Sequence, residues 1–77
     1  MIITFNKHVS SQGKSDMIME NFYGDVVDIT HVEGDVTRCT VMGTQDTPDG
    51  DPLVMVDYGD GVGELFACDI TMVERIG

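Results

Sequence analysis

Seventy-seven residues make one domain, and a chain of that size buries only roughly 60–65% of its unfolded surface, which leaves a thin core and little room for an enclosed active site. Fourteen Asp and Glu against four Lys and Arg give a formal net charge of −10, which argues against nucleic acid and anionic membrane as partners and suits a basic protein surface. No run approaches the roughly 20 apolar residues of a membrane span, and Met1 to Phe5 (MIITF) is too short and wrongly flanked for a signal peptide, so the expected location is the cytoplasm, a host's cytoplasm if the protein is viral.

The charge is unevenly placed. The first fifteen residues hold Lys7 and Lys14 and no acid, so residues 16–77 carry all fourteen acids against Arg38 and Arg75, a net of −12. The acidity thus belongs to the body of the domain. Self-repulsion of this size works against compactness and must be screened, used in binding, or tolerated for solubility.

In chain order, residues 1–5 read as a strand and His8 to Asp16 (HVSSQGKSD) as a loop, because Ser, Gly and Lys interrupt any apolar period. Residues 17–23 (MIMENFY) fit either two helical turns capped by Ser15 or Asp16 or a buried strand, and a short helix near 16–22 is the reading taken forward. Val26 to Thr30 and Val36 to Met42 read as strands joined by a turn at Glu33-Gly34-Asp35. Gly43 to Pro52 (GTQDTPDGDP) gathers both prolines and three aspartates into a long exposed loop. Leu53 to Tyr58 resumes the strand pattern, Asp60-Gly61 suits a type I′ turn, and Glu64 to Cys68 returns as its partner. Asp69-Ile70-Thr71 reads as a single turn before a closing strand, Met72 to Ile76. Five or six short strands with such close turns predict a mainly β, small antiparallel barrel over residues 24–76, whose closure would remove exposed edges. No repeat or low-complexity segment divides the chain.

Val54 to Gly61 (VMVDYGDG), then Phe66, then Asp69 to Val73 (DITMV) resemble the Tudor and SH3-like small-barrel pattern. In that family a strand ending in Asp-Tyr-Gly-Asn/Asp leads to another strand and a one-turn helix; Thr71 and Met72 stand where the family has Arg and Pro. The match covers about 20 residues and speaks more to fold than to ligand. The resemblance implies an SH3-like barrel. It also places Tyr58 and Phe66 where a methyl-lysine or methyl-arginine reader would hold its cation between ring faces. With no Trp in the chain and Phe5, Phe22 and Tyr23 the only other aromatics, the expectation is instead that Tyr58 and Phe66 belong to the barrel core.

Other constellations fail on spacing. Asp46, Asp49, Asp51, Asp57 and Asp60 are dense enough for calcium, but in a loop counted from Asp46 the third and fifth positions are Pro48 and Gly50, so a solvated loop is expected. Gly59 to Gly63 (GDGVG) precedes a strand, not the helix N-terminus that a phosphate cradle uses. Cys39 and Cys68 form no zinc pattern and read as small buried strand residues. His8 and His31 belong to no triad and read as solvated loop residues. No metal, cofactor or catalytic group is expected, and the chain is read as a non-enzyme.

Three functions follow as expectations. The first is an acidic binding protein occupying a basic, nucleic-acid-binding surface of a partner, as a phage-type inhibitor or nucleic-acid mimic would. Its candidate contacts are Asp46, Asp49, Asp51, Asp57, Tyr58, Asp60, Glu64 and Phe66. The second is a Tudor-like peptide reader or assembly adaptor. The third is an oligomeric structural subunit using Met17, Ile18, Met19 and Phe22 as its interface.

Overall fold

The computed structural model describes residues 1–77 and orders them as β1 (Ile2–Thr4), α1 (Ser11–Phe22), β2 (Val26–His31), β3 (Val36–Gln45), β4 (Leu53–Asp57), β5 (Val62–Phe66), a 3-10 turn (Ala67–Asp69) and β6 (Ile70–Arg75). The mainly β expectation holds. All six strands pair antiparallel in a single sheet of order β1-β6-β2-β3-β4-β5. The molecule measures 28 × 24 × 24 Å, and a flat sheet about 10 Å from its neighbouring layer could not fill so even a volume, so the sheet coils into a barrel-like shell. It does not close by strand pairing as expected: β1 and β5 remain its two edges.

Two irregularities give the sheet its curvature. Register slips between Val41 and Gly43, where β3 passes from pairing with β2 to pairing with β4, and again between Thr30 and His31 of β2 against β6. An extra residue on one strand bends it and increases its twist. The ten-residue β3 can therefore serve two partners on different parts of the shell.

The helix corrects two expectations. It begins at Ser11, inside the stretch read as a loop, and its cap is Ser10 rather than Ser15 or Asp16. The Ser10 hydroxyl accepts the Gly13 N–H at 3.0 Å, satisfying one of the free donors of the first turn. Ser15, Ile18 and Phe22 fall on one face and are buried, so polar Gly13 and Lys14 sit in a helix held by tertiary packing rather than by an uninterrupted apolar period. Gly24, at φ 80°, turns the chain out of the helix, and its N–H reaches the Val41 carbonyl at 2.8 Å.

The core lies between α1 and the inner face of the sheet: Phe5, Ile18, Phe22, Val27, Ile29, Cys39, Val41, Val54, Val56, Ala67, Ile70 and Val73. Along β2 and β4 the buried residues alternate with partly exposed ones, as a sheet with one wet face requires. Ile18 and Phe22 have no exposed surface, so the interface proposed for residues 17–22 is reduced to Met17 and part of Met19.

Candidate binding surface

The charge distribution follows from what each cation does. Arg38 on β3 lies directly across from Asp28 on β2 and grips it in a fork, Nε to Oδ1 at 2.8 Å and a terminal nitrogen to Oδ2 at 3.0 Å. The Arg38 hydrogen bonds, reinforced by its charge, hold the Asp28 carboxyl below its ordinary range. Arg75 pairs with Asp25 at 3.0 Å and also donates to the Asn21 carbonyl at the end of α1. Lys14 donates to the Ile70 carbonyl at 2.7 Å and lies 5.8 Å from the centre of the Phe5 ring, so it ties the helix to the start of β6. Lys7 makes no ion pair or side-chain hydrogen bond. Of fourteen carboxylates, the two salt bridges engage only Asp25 and Asp28, leaving twelve without a cationic partner.

The expected site residues gather on the β4–β5 hairpin and the loops at its two ends. Asp46, Asp49 and Asp51 are exposed in the β3–β4 loop, which Thr47 stabilises by accepting the Asp51 N–H and donating to the Asp51 carbonyl. Asp57, Tyr58 and Asp60 lie at the opposite end of β4, about 17 Å away for a five-residue strand. Asp57 is half-buried and accepts the Gly59 N–H at 2.8 Å. The turn is not type I′: Gly59 alone has positive φ, 97°, and neither Asp60 nor Gly61 does. Glu64 and Phe66 are exposed on β5, opposite Met55 and Leu53.

Tyr58 and Phe66 do not share a site. A Cβ built on Gly63 would meet the Tyr58 ring at 2.5 Å, and Gly63 lies across from buried Val56, so the Tyr58 ring lies on the inner-face side. Phe66 alternates with inward Leu65 and Ala67 and points outward beside Leu53. No cage contains both rings. Neither belongs to the core as expected, since Tyr58 is 42% and Phe66 49% exposed. Exposed Phe66 and Val62, with half-buried Leu53 and Met55, form an apolar strip on the outer face, with Glu64 and Asp57 set into it.

A separate cleft of about 240 Å³ opens where the β2–β3 turn meets the 3-10 turn, lined by His31, Val32, Glu33, Asp35, Thr37 and Asp69. His31 is not a free loop residue: it ends β2, is half-buried, and its Nε2 shares a 2.7 Å hydrogen bond with the Thr37 hydroxyl. Sequence spacing hid this cleft, because Asp69 reaches it through the pairing of His31 with Ile70 and the Val32 N–H to Asp69 carbonyl bond. No group of three or more His, Cys, Asp or Glu side chains is placed to hold a metal ion.

The two thiols differ. Cys39 is buried, and burial, with Asp28 nearby, pushes its pKa up to about 11. Cys68 is exposed in the 3-10 turn, not buried in a strand as expected, and partial burial followed by the Asp69 and Asp51 charges raises its pKa. That turn also lies two residues before the expected Asp69-Ile70-Thr71, and β5 ends at Phe66 rather than Cys68. No helix is long and apolar enough to cross a membrane. Compared with protein-family models, with curated proteins and with solved structures, the chain has no match.

Proposed function

We propose that this chain is a non-enzymatic binding protein that occupies a basic, nucleic-acid-binding surface of a partner protein, in the manner of a phage-type inhibitor or nucleic-acid mimic. The observation behind this reading is the balance of ion pairs. Three of the four cations are spent within the fold, on Asp25, Asp28 and backbone carbonyls, while twelve carboxylates have no cationic partner, ten of them exposed. Such a surface gains by meeting cations, since a complementary partner relieves the self-repulsion and is drawn in by long-range attraction.

The test is a pull-down from host lysate at low and moderate salt, with wild type beside a variant carrying Asn at positions 46, 49, 51 and 60. Recovery of a nucleic-acid-binding protein by wild type, weaker with salt and lost in the variant, is the expected result. Equal recovery by both proteins refutes the electrostatic reading.

A Tudor-like adaptor is the second reading, favoured by one observation: the β4–β5 hairpin is followed by a 3-10 turn before the last strand, two residues ahead of where the resemblance of residues 54–73 puts its one-turn helix. In this reading a peptide rests on Phe66, Leu53 and Val62 of the outer face, without a methyl-cation cage. Binding lost in Phe66→Ala and insensitive to salt would support it over the first.

A further inference from the structure

The end of the sheet that carries the apolar strip is also a strand without a partner. Two hydrogen bonds fix the alternation along it. Tyr58 donates to the Gly61 carbonyl at 2.8 Å and Ala67 to the Pro52 carbonyl at 3.0 Å, so in register with them Gly63 and Leu65 direct their N–H and C=O groups toward β4. Val62 and Glu64 therefore direct theirs away from the sheet, as does the N–H of Phe66, whose carbonyl caps the 3-10 turn. Their side chains, all exposed, stand on the outer face, so backbone groups and side chains of the same three residues line one rim.

Soluble proteins guard such rims with lysine, proline, bulges or very short strands. The other edge, β1, has only three residues. By contrast β5 has five, with no Lys, no Pro and an unbroken register against β4. Its one charged residue is Glu64, and carboxylates flank both ends: Asp57 and Asp60 beside Val62, and Asp51 beyond the Leu53–Phe66 pair.

We infer that β5 is a strand-addition site for an extended basic segment of a partner, which pairs with the outward groups of Val62 and Glu64 and the N–H of Phe66. The inference rests on the acidic-binding reading and names how that surface takes its partner. Main-chain bonds supply the pairing and the outer-face side chains supply the selectivity. Opposite Val62 and Phe66 the segment carries apolar residues, and opposite Glu64 a Lys or Arg, since cross-strand neighbours on one face touch. Further cations beyond the two apolar positions meet Asp57 and Asp60 at one end and Asp51 at the other. A second copy of this chain does not fit: a two-fold pairing centred on Glu64 sets that carboxylate against its own copy and brings together two bodies of net charge −10.

The test uses fluorescein-labelled Lys-Val-Ser-Lys-Ser-Val-Lys and two backbone N-methylated forms. In one, methyl groups sit on Val, Lys and Val, the residues whose N–H groups face the rim in strand pairing; in the other they sit on both Ser residues, whose N–H groups face away. All three peptides carry the same charge. Fluorescence anisotropy with the wild-type protein is expected to show a loss of at least about tenfold in affinity for the first form, from the blocked hydrogen bonds to the Val62 and Glu64 carbonyls, and less than about threefold for the second. Glu64→Pro, which removes a rim N–H, should weaken the unmethylated peptide well beyond Glu64→Gln, which removes only the charge. Should Glu64→Pro fail to fold, the methylated peptides on wild type decide the matter alone. Equal, salt-sensitive binding of all three peptides overturns strand addition and leaves the electrostatic reading standing. No binding of any peptide also overturns strand addition, and the lysate pull-down then judges the broader reading. A concentration-dependent mass that Glu64→Pro abolishes makes a second copy the occupant and overturns the proposal.

Discussion

The contact between Gly63 and Tyr58 decides which way the Tyr58 ring faces, and it can be probed by adding one carbon. An alanine Cβ at position 63 would lie 2.5 Å from Cε2, 2.9 Å from the hydroxyl oxygen and 3.0 Å from Cζ of Tyr58, whereas carbon atoms in contact prefer about 3.5–4.0 Å. The ring must move by about 1 Å. Because it is 42% exposed, it can swing toward solvent, which sets the cost of Gly63→Ala near the low end for overpacking, about 1–2 kcal/mol. Position 63 has no positive φ, so alanine is otherwise compatible there. With the ring removed in Tyr58→Ala, the same substitution should stabilise the fold by about 0.5–1 kcal/mol through the less flexible unfolded chain. The sign of the Gly63→Ala effect thus reverses between backgrounds. Urea unfolding of the four proteins in this double-mutant cycle measures it. The same ΔΔG in both backgrounds would refute the placement of Tyr58 on the inner-face side, and with it the separation of the two aromatic residues.

The Asp28–Arg38 fork makes a second prediction. Because the folded pKa of Asp28 is lowered, the pair's contribution is present above the ordinary carboxylate range and is lost as pH falls through the folded value. Carboxyl NMR titration should show Asp28 titrating below the ordinary aspartate range in wild type and returning toward it in Arg38→Gln; an unmoved titration would remove Arg38 as the cause. The thiols make a third. Cys39, with a folded pKa of about 11 against an ordinary 9.0, contributes stability that is full below pH 9 and lost as pH rises toward 11. Cys39→Ala should flatten that part of the alkaline limb. In the native protein a thiol reagent should modify Cys68 alone until the chain unfolds, and two equivalents reacting at the native rate would contradict the burial of Cys39.

Much of the sheet was legible because its signals are local. Val26 to Thr30, Val36 to Met42 and Leu53 to Tyr58 carry β-rich runs between Gly- and Asp-rich breaks, and all three lie in or against observed strands. The early half of α1 was not legible, since Gly13, Lys14 and buried Ser15 give no apolar period and what holds them is remote: Lys14 reaches the carbonyls of Cys68 and Ile70, more than fifty residues away. The hairpin turn was misread because the Asp60-Gly61 pair suggested a two-residue loop, while the chain places its positive φ at Gly59 and caps that residue with Asp57. The acidic residues were legible as composition only. Which of them are neutralised depends on cross-strand register, Asp28 against Arg38, and on Arg75 meeting Asp25 across fifty residues of sequence. The open rim of β5 was hidden for the same reason, because spacing that suggests a barrel does not reveal where its ladder stops.

The meeting of β1 and β6 bears on how this domain can be carried by other polypeptides. Ile2 lies across from Glu74, and the Arg75 N–H donates to the Met1 carbonyl at 2.9 Å, so the two ends of the fold stand side by side at the edge of the sheet that β5 does not occupy. A tether attached at either end leaves from the same place, where β1 meets the end of β6. The domain can therefore be inserted into a longer chain, or immobilised on a surface, through a single point of attachment.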